Sequence, residues 1–578
     1  VQAAQRKGRE LRRLADPSIA NGVRIVLRGG VYPLTAPLLV RPEDSGTETS
    51  PTVFTAATGE RPIISGGIAL TAWHKLKENI PGLPAAAEGH VWVADTPVFN
   101  GRRLEFRQLW VAGKKAIRAR APDVDAMARL LKWNRPAEEA TVPTALVASL
   151  RDPSGVELVV QQQWEIAVLR IRSLRIEGDE AHLTFFQPES RLEFEHPWPQ
   201  PILPPEGGGA FFLANALEFL DQPGEWYQDL LSGRIYYWPR DGEDLSRDAV
   251  IAPALETLVE FTGTTDRPVS QVTFHGIGFQ HTTWLRPSRE GHVPLQLGLY
   301  LTEAYKLRPA GTPDWRSLDN QAWTGRPPAA VVLNGVEHVH FEGCRFEHLA
   351  FNGLDSASMA ADVTVVGNVF RELGGNGIVV GEFSAGGREA HLPYAPTDER
   401  QVCRHFEIAN NVVTDCANED WGCAGIAVGF ARAIAIEHNE IFNVSYTAIS
   451  LGWGWTRTTN VARDHRVRAN HLHHFATRMC DTAGVYTLSA QPGTVVSENS
   501  IHSVTMSPYV DRPDHWFYLY TDEGSSFITV RDNWCEAEKF LQNANGPGNV
   551  WENNGPAVSA AIKDAAGLEP AYRALLVP

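Results

Sequence analysis

Positive charge is the first thing this chain lacks. Its 52 basic residues face 68 acidic ones, a net charge of −16, which argues against nucleic acid and anionic membrane as partners because a phosphate surface needs a positive face. No apolar run reaches the length of about 18 residues needed to span a bilayer. Cysteine is sparse: Cys344, Cys403, Cys416, Cys423, Cys480 and Cys535 are the whole set. None forms a CxxC, and no paired Cys/His ligand spacing occurs, so no structural zinc site, metal or cofactor is expected, and the thiols are expected to be buried and free. The chain opens at Val1 without a basic-then-apolar leader. From residue 330 to 562 the only lysine is Lys539, and no paired DD or GHG occurs in the second half.

Helical periodicity is missing from the second half too, and a repeat takes its place. "VTVVGNVFREL" (363–373), "FEIANNVVTDC" (406–416), "IAIEHNEIFNV" (434–444), "HRVRANHLHHF" (465–475), "TVVSENSIHSV" (494–504) and "ITVRDNWCEAE" (528–538) each read as strand, polar step, strand. Asparagine holds the same place in all six: Asn368, Asn411, Asn439, Asn470, Asn499 and Asn533, at intervals of 43, 28, 31, 29 and 34 residues. Short strands repeating at this period are the mark of a solenoid. Asparagine tolerates the left-handed backbone of a sharp corner, and stacked amides can hydrogen-bond from coil to coil. The expected fold is all-β, a right-handed parallel β-helix.

Uneven intervals mean that extra residues leave the stack as loops, the longest at 283–330, 382–404, 452–464 and 505–516. Residues 1–85 read as an amphipathic cap (1–15) and the first coils. From 86 to 260 the asparagine repeat stops and hairpin-like stretches such as "GEWYQDLLSGRIYYWP" (224–239) point to an inserted β-sandwich-like domain. Residues 261–578 form the main helix and its groove.

Candidate chemistry sits on the late coils. In "YTAISLGWGWT" (446–456) Trp453 and Trp455 alternate with glycines, which suits indoles that stack on sugar rings but also indoles that fill a gap. Asp481 precedes the strand of "GVYTL", and Asp522 ends the strand of "FYLYTDEGSS" one coil later. Two carboxyls are the minimal set for glycoside hydrolysis: one protonates the leaving oxygen, the other attacks or activates water. In register, Asp522 lies over Leu488, some 20 Å from Asp481 along a straight strand, so the two meet only if the chain turns between Asp481 and Tyr486. Glu419 and Asp420, in the comparable segment "NEDWGCAGIAV", are the substitutes. Tyr446, Tyr486, Tyr520 and Gln491 complete the expected sugar-contacting set, whereas Glu523 is expected to point away.

"RGGVYPL", "ISGG", "GEWYQDLLSGRIYYWP", "HNEIFNVSYTAISLGWGW", "GVYTLSAQPGT" and "YTDEGSS" follow one another along nearly the whole chain. The set resembles the β-helix glycoside hydrolases, most closely family 141. The resemblance implies a β-helix with an inserted sandwich, a polysaccharide or oligosaccharide substrate and no cofactor. It implies α-L-fucosidase or xylanase activity with retention of configuration, catalytic aspartates at Asp481 and Asp522, and a secreted or periplasmic location. A polysaccharide lyase or epimerase on the same scaffold, which usually needs a lysine or arginine base and often calcium, and a non-catalytic carbohydrate-binding solenoid are the alternatives.

Overall fold

The computed structural model describes residues 1–196, 198–304, 323–384 and 392–577. Of the expected loops, 305–322 and 385–391 lie outside the described residues. The remainder forms a parallel β-helix with three faces. A representative coil runs through Ile426–Val428, Ala431–Glu437 and Glu440–Phe442. Each strand pairs in parallel with its equivalent one coil on, Ile449–Leu451, Arg466–Arg468 and His471–His473. Inward residues build one continuous core of Val, Ile, Leu and Phe. Within it Phe54, Phe274 and Phe341 stack at 4.6 and 5.5 Å, and Phe279, Phe346 and Phe370 at 4.9 and 4.4 Å. Identical side chains recur at one height because parallel register repeats the same position coil after coil.

All six repeat asparagines are fully buried and in line. The backbone N–H and the side-chain Nδ2 of each donate to the Oδ1 of the next, from Asn368 to Asn411 (2.9 and 3.0 Å) through to Asn499 and Asn533 (3.2 and 2.8 Å). Asn554 continues the line past Asn533. The second amide hydrogen reaches a carbonyl on the preceding coil, as Asn439 does to Ile408 at 2.8 Å. One expectation needs correction. The left-handed residue at this corner is not the asparagine but its predecessor: Gly367, Asn410, His438, Ala469, Glu498 and Asp532. Asparagine is there for its amide, which satisfies buried backbone groups that the corner would otherwise strand.

The N-terminal helix Gln2–Arg13 closes one end, with Gly8 so close to Val23 that a Cβ would lie 3.0 Å from its Cγ1. Arg9 and Gln5 anchor it on Asp44. After the coil strand Pro62–Ser65 the chain leaves, and Gly67–Ala69 already pairs antiparallel with Val250–Pro253. It rejoins at Val259–Thr262, which pairs directly with Leu38–Val40, so the stack is uninterrupted across the insertion. The excursion is built of mostly antiparallel sheets, the largest running through Glu157–Gln161, Ile166–Glu177 and Ala210–Ala214. Its apolar side shares one core with the helix, where Leu158, Val160 and Phe211 join Phe430, Tyr446, Trp453 and Met479. All six cysteines are buried and unpaired. No helix among the described residues is long and apolar enough to cross a membrane.

Candidate active site

Two consecutive coils present the strands Thr482–Thr487 and Trp516–Thr521, with Tyr486 opposite Tyr520 and Thr487 opposite Thr521. Asp522 therefore follows the last pair and lies over Leu488, as the register requires. A straight strand would leave about 16 Å between Asp481 and the Tyr486–Tyr520 rung, more than two side chains can bridge. Yet the Tyr520 hydroxyl donates to Asp481 Oδ1 at 3.2 Å, so the chain bends in between. Gly484 occupies that stretch, where a Cβ would lie 2.5 Å from Ile501. Asp481 itself is left-handed (φ 55), and its N–H is held by the His515 carbonyl at 2.7 Å.

The tyrosines cross between coils. Tyr486 donates to Asp522 Oδ2 at 2.6 Å, while Tyr520 reaches back to Asp481; their rings meet edge to face at 5.0 Å. Burial first, then the neighbouring aspartate, keeps both phenols far above their ordinary range, which fixes them as donors. Asp481 also faces His515 Nε2 at 3.0 Å, and Asp522 Oδ1 accepts from Asn543 Nδ2 at 2.7 Å. Asn543 sits one coil further on, next to the rung that pairs Thr521 with Gln542. Burial and then the charge of Asp481 push the Asp522 carboxyl above its ordinary range, against the pull of the Tyr486 and Asn543 hydrogen bonds.

These groups line one cavity of about 350 Å³. The β-helix supplies Tyr446, Asp481, Tyr486, Tyr520 and Asp522 from its face, and His515 and Trp455 from two of the expected loops. Gln296 comes from a third loop, and its Nε2 donates to the Tyr446 hydroxyl at 3.3 Å, which in turn donates to the Asp481 carbonyl at 2.9 Å. The insertion closes the other side with Trp164 and Trp198. Gly524, in a left-handed conformation (φ 76), turns the chain away after the acids; a Cβ there would meet the Thr456 backbone at 2.8 Å.

Several expected sugar contacts lie elsewhere. Trp453 is fully buried, its indole N–H on Ser384 Oγ at 2.9 Å and its ring edge to face with Phe383 at 5.3 Å; only Trp455, 5.6 Å away, reaches the cavity. Gln491 is buried and spends its amide on the Leu451 and Leu488 carbonyls at 2.9 and 2.8 Å, bracing the backbone. Asp420 is sealed against His292 Nε2 at 2.7 Å and beside Glu165, whose carboxyl burial and the Asp420 charge hold well above its ordinary range. Glu419 pairs with Lys115 in a separate cleft beneath the insertion. Glu523, expected to point away, lines the cavity instead, and burial followed by Asp522 and Asp481 pushes it up to about 7. His515, Asn543, Gln296, Trp164 and Trp198 were not anticipated. Asn543 had a signal, since it falls one coil after Asp522; the insertion tryptophans had none.

Residues 89–240 match the family profile described as the GH141 insertion domain. A solved structure described as "Glycoside hydrolase" is similar over 99% of this chain and 96% of its own, with 50% identity and a TM-score of 0.94. The structure of XylC in complex with xylose is similar over 90% of this chain and 65% of its own, at 14% identity and a TM-score of 0.46. No curated protein matches this chain. Together the β-helix, the insertion and the 50%-identical neighbour define a glycoside hydrolase on a solenoid scaffold. The chain belongs to the glycoside hydrolases, and its insertion makes it one of the GH141 type.

Proposed function

We propose that the cavity hydrolyses the bond to a terminal sugar of a plant cell-wall oligo- or polysaccharide, α-L-fucosidase-like, with retention of configuration. The observation that carries this reading is the crossed pair of hydrogen bonds that presents Asp481 and Asp522 to one small cavity. Asp481 attacks the anomeric carbon, oriented by Tyr520 and His515. Asp522, whose burial favours its protonated form, gives its proton to the leaving oxygen and then takes one from the attacking water. A cavity near the lower end of the usual range of about 300–1,000 Å³ suits one or two sugar rings better than a long chain segment. Trp455, Trp164 and Trp198 offer apolar walls for the ring faces. Neither lysine nor arginine occurs among the described residues lining the cavity, which favours hydrolysis over β-elimination of a uronate.

Glu523 supports a variant of this reading in which it, and not Asp522, supplies the proton, since its carboxyl near 7 is poised for that work. The test is a screen of aryl α-L-fucoside, aryl β-xyloside and pectic fragments with the wild type and the Asp481→Asn, Asp522→Asn and Glu523→Gln proteins. The reading expects fucoside cleavage that collapses in both aspartate variants. Cleavage of xyloside alone replaces the sugar but keeps the pair, collapse in Glu523→Gln with Asp522→Asn active reassigns the acid, and unchanged turnover in both aspartate variants overturns the site.

A further inference from the structure

A second cluster of chemistry-bearing side chains lies on the face formed by Glu440–Phe442, His471–His473 and Ser500–His502, which carries no residue of the cavity above. Alternation puts residues two apart on the same side of a strand, and parallel register puts equivalents on neighbouring coils above one another. Glu440 and Phe442 thus sit in register with His471 and His473, and His473 in turn with His502. Glu440 Oε1 is 2.8 Å from His471 Nδ1 and 3.0 Å from His473 Nε2. One donor atom from each of the three lies within 4.8 Å of the others, the only such group among the described residues.

We propose that Glu440, His471 and His473 form a binding site for one borderline divalent cation of the zinc class, which staples neighbouring coils. Three protein donors of N₂O type, with water in a fourth position, suit zinc in preference to magnesium or calcium, which favour all-oxygen shells. Bonds of about 2.0–2.2 Å in a tetrahedral frame set donors about 3.3–3.6 Å apart, so the two hydrogen-bonded separations need open by only about half an ångström.

The outer shell agrees. His471 Nε2 faces His502 Nε2 at 2.8 Å, and His502 Nδ1 faces Ser503 Oγ at 2.6 Å, so a chain of hydrogen bonds leaves His471 Nδ1 free to ligate. His473 Nδ1 is held by His474 Nδ1 at 2.7 Å, which leaves its Nε2 for the ion. Metal-ligating histidines are held this way through their second nitrogen. The side chains are 10% (Glu440), 28% (His471) and 16% (His473) exposed, enclosed yet reachable from solvent. The C-terminal segment forms a wall: Gly567 lies where a Cβ would come 2.7 Å from Glu440 Oε2, and its N–H donates to the Ala469 carbonyl. Spacing rules miss this site because its ligands come from coils 31 residues apart.

The test uses the untagged full chain after chelator treatment. Calorimetric titration with Zn²⁺ is expected to give one saturable site, a higher melting temperature, and no comparable response to Mg²⁺ or Ca²⁺. Glu440→Gln, which keeps the shape of the side chain, and His473→Gln should each bind at least tenfold more weakly while melting normally without zinc. Absence of stoichiometric binding, equal binding by both variants, or a preference for Mg²⁺ or Ca²⁺ would overturn the proposal.

Discussion

The asparagine corner and the acid-bearing face belong to the same coils, yet they are built on opposite principles. At the corner six successive coils repeat one solution: an amide fully buried, its hydrogens and oxygen all satisfied by neighbouring coils. On the face nothing repeats. Asp481 and Asp522 come from different points of two successive coils, and each is held by the tyrosine of the other. Repetition satisfies polar groups and so stabilises; breaking it leaves a carboxyl buried beside a second carboxyl, a costly arrangement that chemistry needs. The two regions should therefore fail differently when altered.

The largest effect is expected at the acids. Asp481→Asn or Asp522→Asn should lower turnover by about 10²–10⁴ or more, with melting temperature nearly unchanged, read by steady-state rates and calorimetry. A loss of stability as large as the loss of rate would erase the contrast. The two indoles separate the regions within three residues. Trp453→Ala should cost about 3–5 kcal/mol of stability, as a large buried side chain does. Trp455→Ala should leave the melt alone and raise KM about tenfold, about 1.4 kcal/mol. At the corner, Asn439→Ala should cost about 1–3 kcal/mol by stranding the Asn411 backbone N–H and side-chain Nδ2 that its Oδ1 accepts, and the Ile408 carbonyl that its Nδ2 serves, with kcat and KM of the surviving fold unchanged.

A further contrast is a pH dependence. The Glu523 carboxyl rises from its ordinary 4.5 to about 7 on folding, so its contribution is complete below 4.5. It is lost as pH climbs from there through 7, because the unfolded chain ionises first. The wild type should thus lose more melting temperature across that window than Glu523→Gln does. Equal slopes would mean that the carboxyl is no harder to ionise in the folded state.

Legibility followed the same division. The ladder could be read because each partner stands at a fixed place in a repeat, so one position predicts the next. Asp481 and Asp522 were named because each borders a tyrosine-bearing strand and because the motifs resemble a family. Trp453, Gln491 and Asp420 carry no local mark of their burial, which contacts distant in sequence decide: Phe383 and Ser384 on Trp453, the Leu451 carbonyl on Gln491, His292 and Glu165 on Asp420. Trp164 and Trp198 carry no local mark for the same reason. His471 and His473 stand two apart on one strand, but the carboxylate that completes the group, Glu440, comes from the preceding coil and carries no mark of it in the chain.

The most direct test of the central claim is what azide does in Asp481→Ala, with the aryl glycoside the wild type turns over best. If Asp481 is the nucleophile of a retaining hydrolase, azide takes its place and the glycosyl azide forms with configuration opposite to the substrate. Asp522→Ala, which keeps the nucleophile, should give the azide with retained configuration. Wild-type turnover in Asp481→Ala, or a folded protein that azide rescues in neither variant, would contradict the account.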